Sequence, residues 1–179
     1  MDREQAAHLS RVRHLREAFA SQNEHLVALL RGADETLATH SAPGRWSAAQ
    51  VAWHVASVNS RFAALIAGDA PAAKPLAADF IERPWAGIAA AIPDKLEAAT
   101  AALPPARVSR HDAIAALEAS AVRIARAFDT LTPERGARMG VTSPVVGTIS
   151  LYQVGEWAVS HVERHLKQAR QAIDREAAG

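Results

Sequence analysis

The stretch SLYQVGEWAVSHVERHLKQARQAI, residues 150–173, decides the fold because it combines a helical apolar pattern with two histidines four residues apart. At about 100° per residue, the side chains of His161 and His165 point in directions only about 40° apart. The charged residues of the stretch lie largely on other faces. The stretch therefore predicts an amphipathic helix whose two imidazoles face the protein interior. The apolar residues that share their direction are Leu151, Val154, Ala158 and Ala172.

Capping residues, glycines and prolines set the boundaries of four predicted helices. The pattern S-x-x-Q, in which both side chains bond to the first helical turn, occurs at Ser47 and again at Ser150. Gly32 directly follows the first helix, where a left-handed residue commonly ends one. Pro133 follows the third helix, which begins at Ser109. The predicted helices cover about residues 2–31, 47–68, 109–132 and 150–176.

The segment between the second and third helices has a different composition. Residues 69–109 contain six prolines, and we expect only a short helix there, from Asp94 to Leu103. A connection of this length can cross the end of a bundle or supply a lid. Phe80 and Trp85 could anchor such a lid, although buried aromatic residues more often serve packing alone. Residues 136–148 are punctuated by glycine and proline and are expected to form a loop.

Four amphipathic helices around one core predict an all-α four-helix bundle, with a long connection between helices two and three. Because of this connection, helices two and three need not be antiparallel neighbours. The chain of 179 residues, 1–179, fits one domain that can bury its own core.

The composition limits the classes of ligand and partner that we expect for the protein. The absence of cysteine excludes disulfides and thiolate ligands. A net charge of +1 gives no electrostatic sign of a nucleic-acid or anionic-membrane partner. No segment reaches the roughly 20 apolar residues of a membrane span, and the charged N-terminus does not resemble a signal peptide. We expect a soluble cytoplasmic protein, either a monomer or a small oligomer such as a homodimer.

The histidines indicate a metal site only when they are taken together. An HxxxH pair alone is weak evidence, because eight histidines give about 0.3 such pairs by chance. His54 lies on the apolar face of the second helix, and a lone histidine there is more often a hydrogen-bonded core residue. However, three inward imidazoles on two helices match the His₃ ligand set of catalytic zinc sites, and no fourth protein ligand is evident.

Residues around this pattern suggest further roles. Arg61 lies about two turns beyond His54 and could hold a carboxylate or phosphate, although a surface arginine is the commoner case. Gln168, one turn after His165, could orient an imidazole. Glu156 points away from the ligand face, so the sequence offers no clear general base. The histidines expected to be exposed are His8, His14, His25, His40 and His111.

Two segments resemble the DinB/YfiT-like superfamily of metal-dependent enzymes: GRWSAAQVAWH (44–54) and SPVVGTISLYQVGEWAVSHVERHLKQ (143–168). Helix order and loop lengths agree along the chain. The resemblance implies a four-helix bundle with up-down-down-up topology. It also implies a divalent metal, often nickel or zinc, bound by His54, His161 and His165.

The resemblance implies less about the reaction. Some members of this superfamily use a low-molecular-weight thiol such as mycothiol, bacillithiol or glutathione, and others resemble hydrolases. The first expectation is a thiol-dependent S-transferase acting on a small-molecule substrate. Any thiol must come from outside, because the chain has no cysteine. The alternatives are a metal-dependent hydrolase and a non-catalytic bundle that binds a metal or small molecule.

Overall fold

Four long helices form the body of the protein in a computed structural model that describes residues 2–93, 96 and 99–178. They are α1 (Arg3–Gly32), α3 (Ala48–Ala67), α5 (Arg110–Thr130) and α7 (Leu151–Ala177). The shorter elements are α2 (Glu35–Thr39), α4 (Trp85–Ala90), α6 (Pro133–Arg138), β1 (Lys74–Pro75), β2 (Met139–Ser143) and β3 (Gly147–Ser150). The prediction of an all-α helical bundle is confirmed. None of the helices in the described ranges is long and apolar enough to span a membrane.

Residue pairs across the interfaces give the direction of each long helix. Between α1 and α7, and between α3 and α5, the residue numbers of contacting residues increase in the same direction along both helices. The two helices of each of these pairs are therefore parallel. Between α1 and α5, and between α3 and α7, the residue number increases along one helix as that of the contacting residue decreases along the other. The two helices of each of these pairs are therefore antiparallel. The helices therefore run up, down, down, up, as predicted. The pairs are His8–Tyr152, Arg11–Glu156, Gln50–Ala106, Ser60–Arg123, Arg16–Asp129, Arg31–Glu118, His54–His165 and Phe62–Trp157. Ala106 lies just before the start of α5 at Arg110.

The connection at residues 69–109 exists because α3 and α5 are parallel. The chain leaves α3 at one end of the bundle and must return to the other end before α5 begins. Of the predicted helix from Asp94 to Leu103, residues 94, 95, 97 and 98 lie outside the described residues. In the described part, only a single 3₁₀ turn forms, at Thr100–Ala102. The connection also contains α4, which was not predicted and begins directly after Pro84.

The expectation of a loop at residues 136–148 is wrong. Residues 136–138 end α6, and the rest belongs to the antiparallel hairpin of β2 and β3, with β1 pairing on the other side of β2. Gly147 has a φ of 73°, the left-handed conformation that the hairpin turn requires. A Cβ at Gly140 would lie 2.2 Å from the Ile149 carbonyl oxygen. The glycines interpreted as loop signals therefore mark a turn and a close approach of two strands.

The predicted helix starts are confirmed, and one predicted end is not. Both capping boxes form, at Ser47 and at Ser150. Gly68 ends α3 in the left-handed conformation, with a φ of 90°. Gly32, in contrast, is the last residue of α1, and the chain leaves the helix through Ala33 in an extended conformation. A left-handed glycine is a common way to end a helix, but an extended residue also ends one.

Candidate metal centre

Three imidazoles from two helices meet inside the bundle. The ring centroids of His54 and His161 are 5.4 Å apart, those of His54 and His165 are 4.9 Å apart, and those of His161 and His165 are 4.4 Å apart. One ligand nitrogen of each residue lies within 4.8 Å of the other two. The cluster could therefore hold a divalent metal ion. His54 is buried and the other two side chains are half-buried, so protein does not seal the site completely.

The local structure explains why these three residues converge. The capping box at Ser47 fixes the start of α3, and the antiparallel packing of α3 on α7 then brings residue 54 opposite residues 161 and 165. Two aromatic rings border the imidazoles. The ring of Trp46 lies 5.0 Å from that of His54, and the ring of Phe62 lies 5.9 Å from that of His161. The site is thus bordered on part of its surface by apolar rings, and apolar surroundings strengthen electrostatic interactions.

Hydrogen bonds leave ligand nitrogens free on two of the imidazoles. His54 donates from Nδ1 to the carbonyl oxygen of Ala102 at 2.8 Å, and His165 donates from Nδ1 to Oε1 of Gln168 at 2.7 Å. Each ring then keeps an Nε2 lone pair for a metal. Nδ1 of His161 is buried and has no hydrogen-bond partner among the described residues. A buried nitrogen without a hydrogen bond lowers the stability of the fold by about 1–3 kcal/mol, which fits a group whose partner is a bound ion.

The surroundings keep all three imidazoles neutral near pH 7. Burial lowers the pKa of His161 well below its usual value, and the neighbouring His165 and His54 lower it further. Burial, and then His54, lower the pKa of His165 to about 4. Burial also lowers the pKa of His54, against the opposing effect of its hydrogen bond to Ala102. Neutral imidazoles are the form that binds metals, so the donor set fits a divalent cation.

Gln168 and Arg61 both lie near the cluster. Gln168 is exposed, and its side-chain oxygen accepts the hydrogen bond from His165. Arg61 is also exposed, and its positive charge contributes to the lowered pKa of His54. No hydrogen bond or ion pair involves Arg61 within the described part of the chain. Glu156 does not face the cluster and is instead paired with Arg11 at 3.0 Å.

Two hydrogen bonds escaped prediction, one at the histidine cluster and one elsewhere in the bundle. The Ala102 carbonyl is a backbone acceptor in an irregular segment, so no residue type could have indicated its contact with His54. The expectation that His8 is exposed is wrong, because its side chain is buried and shares a 2.7 Å hydrogen bond with the hydroxyl of Tyr152. The aromatic partner in α7 is what makes burial of this imidazole possible. His14, His25, His40 and His111 are exposed, as predicted.

Replacing Gln168 with alanine should weaken binding of a divalent ion by about 10- to 100-fold, the usual effect of removing the partner that orients a metal-ligating histidine. The His165 ring would lose the acceptor that fixes its tautomer. Competition with a chromophoric zinc chelator measures the change. Gln171→Ala, an exposed glutamine of the same helix, is the matched control and should bind like the wild type. Equal affinities for the two variants would contradict an orienting role for Gln168.

Comparison with known families finds a match that covers most of the chain. Residues 12–169 match the model of the DinB superfamily. This range includes all four long helices except their outermost residues, and it includes His54, His161 and His165. No curated protein matches the chain. The chain belongs to the DinB superfamily.

Proposed function

We propose that the protein is a metal-dependent S-transferase that joins an external low-molecular-weight thiol, through its sulfur, to a small electrophilic substrate. The observation that carries this proposal is a cluster of three neutral imidazoles, partly open to ligands, without a carboxylate beside it. Among the described residues, no aspartate or glutamate joins the histidine cluster. No carboxylate is among the groups that shift the pKa values of the three imidazoles either.

The lack of a nearby carboxylate favours a thiol over water as the nucleophile. A divalent ion held by His54, His161 and His165 would keep a thiol deprotonated near neutral pH or activate a water molecule. A thiolate already carries its negative charge and needs no general base, whereas hydrolysis usually gains from one. The chain itself has no cysteine, so the thiol would be a second substrate. Zinc and nickel both suit an imidazole donor set.

The residues of the chain would bind and orient the reactants. The hydrogen bonds to Ala102 and Gln168 hold two of the imidazoles in fixed orientations. The rings of Trp46 and Phe62 offer apolar contact beside them. In the reaction, the sulfur forms a bond to the electrophilic carbon of the substrate, and the leaving group departs with the electron pair of the broken bond.

A paired screen tests this proposal. The metal-loaded protein is assayed with glutathione, mycothiol and bacillithiol against a set of activated electrophiles, and in parallel against activated esters without thiol. We expect conjugate formation with one thiol, lost after metal removal and in His161→Ala. Ester cleavage alone would identify a hydrolase. Full metal occupancy with neither reaction would identify a binding protein, and both results would contradict the transferase proposal.

Arg61 is proposed to bind an anionic group of the thiol or of its co-substrate. The Arg61→Met variant should raise the KM for the thiol by about five- to tenfold with little change in kcat, because a remote ion pair contributes equally to substrate and transition state. Arg126→Met, an exposed arginine on α5, serves as the control. Steady-state kinetics of both variants decide the point, and equal KM values would exclude this role for Arg61.

A further inference from the structure

A cluster of charged side chains lies near the starts of α1 and α7, separate from the three histidines. The guanidinium of Arg11 donates to Glu82 at 2.8 Å and to Glu156 at 3.0 Å. It also lies over the ring of Tyr152, with its central carbon 4.4 Å from the ring centroid. We name these four residues the Arg11 cluster. About a third or less of each of the three charged side chains is exposed, so the ion pairs are partly shielded from water.

The Arg11 cluster is held firmly on its protein side. The hydroxyl of Tyr152 shares a hydrogen bond with Nδ1 of His8. A Cβ on Gly136 would lie 2.3 Å from the Tyr152 ring, so the ring is packed directly against the backbone of α6. Glu82, in contrast, comes from the long connection between α3 and α5, and its other oxygen accepts a hydrogen bond from Ser150. The cluster therefore fastens the connection to two long helices at once.

From Glu82 onward, the connection is fastened along α7 towards the histidines. The carbonyl of Arg83 accepts a hydrogen bond from Gln153 at 2.7 Å. Nε1 of Trp85 donates to the hydroxyl of Ser160, also at 2.7 Å. Ser160 directly precedes His161 in the sequence. Successive residues of the connection thus bond to successive positions of α7, from Ser150 at its start to Ser160 beside the candidate metal centre.

The same connection contacts the site again at its far end. The carbonyl of Pro93 accepts a hydrogen bond from Arg164, the residue before His165. The carbonyl of Ala102 accepts the hydrogen bond from His54. Glu82 therefore belongs to a segment whose later residues form hydrogen bonds with His54 and with the residues that precede His161 and His165. No side chain of the Arg11 cluster joins the histidine cluster itself, so any influence on the histidines is indirect.

We propose that Arg11 and Glu82 are positioning residues for the candidate metal centre, because they hold the connection against α7 and thereby restrict exchange of metal and reagents at His54, His161 and His165. This inference rests on the proposed metal binding. Loss of the ion pair between Arg11 and Glu82 would let the segment around Trp85 separate from α7 more often. Local openings of this kind, which leave the rest of the fold intact, control access to sites that the closed state protects.

Two variants test the proposal, with a third as control. Arg11→Met removes the guanidinium, and Glu82→Gln removes one charge with little change of shape. Arg16→Met is the matched control, because it removes an ion pair of the same helix, with Asp129 of α5, that does not involve the connection. The zinc-loaded proteins are mixed with excess chelator, and the rate of zinc release is recorded. We expect release about tenfold faster than wild type in both test variants and unchanged in Arg16→Met.

A second readout needs no metal. Diethyl pyrocarbonate modifies accessible imidazoles, and peptide mass spectrometry gives the rate at His161 and at His165 in the metal-free proteins. Faster modification in Arg11→Met and Glu82→Gln, but not in Arg16→Met, supports the positioning role, whether or not the wild type binds zinc. Absence of zinc binding by the wild type would refute the proposed function alone. A purely structural role would lower the melting temperature and leave both rates unchanged. Unchanged rates in the folded variants overturn the inference while metal binding stands.

Discussion

Replacing His54 with alanine should lower the affinity of the protein for a divalent ion by about a hundred- to thousandfold. Four-ligand zinc sites bind with about 10–16 kcal/mol, so one ligand contributes roughly 2.5–4 kcal/mol, which corresponds to about two to three orders of magnitude in Kd. His54 is the only one of the three imidazoles that α3 supplies. Its loss would therefore leave just the two imidazoles of α7 to hold the ion.

Chelator competition and calorimetry with zinc and nickel measure this loss. His25→Ala provides the control, because His25 is an exposed histidine of α1 and lies outside the cluster. Circular dichroism verifies that both variants remain helical. If His54→Ala bound zinc as tightly as His25→Ala, the two imidazoles of α7 would have to bind the ion with other groups, and the ligand set assigned to this centre would be wrong.

The metal-free protein should lose stability as the pH falls from about 6.5 towards 4. An imidazole in the unfolded chain titrates near its usual pKa of 6.5, whereas burial and His54 lower the pKa of His165 to about 4 in the folded protein. Between these values the unfolded chain binds a proton that the folded chain does not. Lower pH therefore favours unfolding, by up to roughly 3 kcal/mol for His165 alone. His161 and His54 act in the same direction, because burial lowers their pKa values too.

Thermal unfolding in the presence of a chelator, followed by circular dichroism across this pH range, tests the expectation. His165→Gln should flatten the pH dependence of the melting temperature, whereas His25→Gln should keep the slope of the wild type. Comparison of variants is necessary because Glu156 acts in the opposite direction, since burial raises its pKa. Equal slopes for His165→Gln and wild type would show that His165 is not held neutral by the fold.

The parts of the fold that follow from local sequence rules were predictable. A capping box needs only Ser47 and Gln50, and helical periodicity places His161 and His165 on one face without knowledge of any other segment. The convergence of His54 with them required more, because it depends on how α3 packs on α7. Apolar periodicity on both helices, together with the resemblance to a known family, supplied that information. Their roles as metal ligands remain proposals.

The parts that depend on tertiary contacts were not predictable. The glycines at 140 and 147 serve a β-hairpin, which their composition alone does not distinguish from a loop. His8 is buried because it meets Tyr152, 144 positions away in the chain. The contacts of Arg11 with Glu82 and Glu156 likewise join three distant segments of sequence. Such pairings have no short-range sequence pattern, because the two partners are polar or charged residues that meet only in the folded chain.

The central claim is that imidazoles from α3 and α7 share one divalent ion, and anomalous diffraction from crystals of the zinc-loaded protein tests it most directly. We predict a single strong anomalous peak per chain, about 2.0–2.1 Å from one nitrogen each of His54, His161 and His165. A peak located elsewhere, or zinc bound without the imidazole of His54, would contradict the claim.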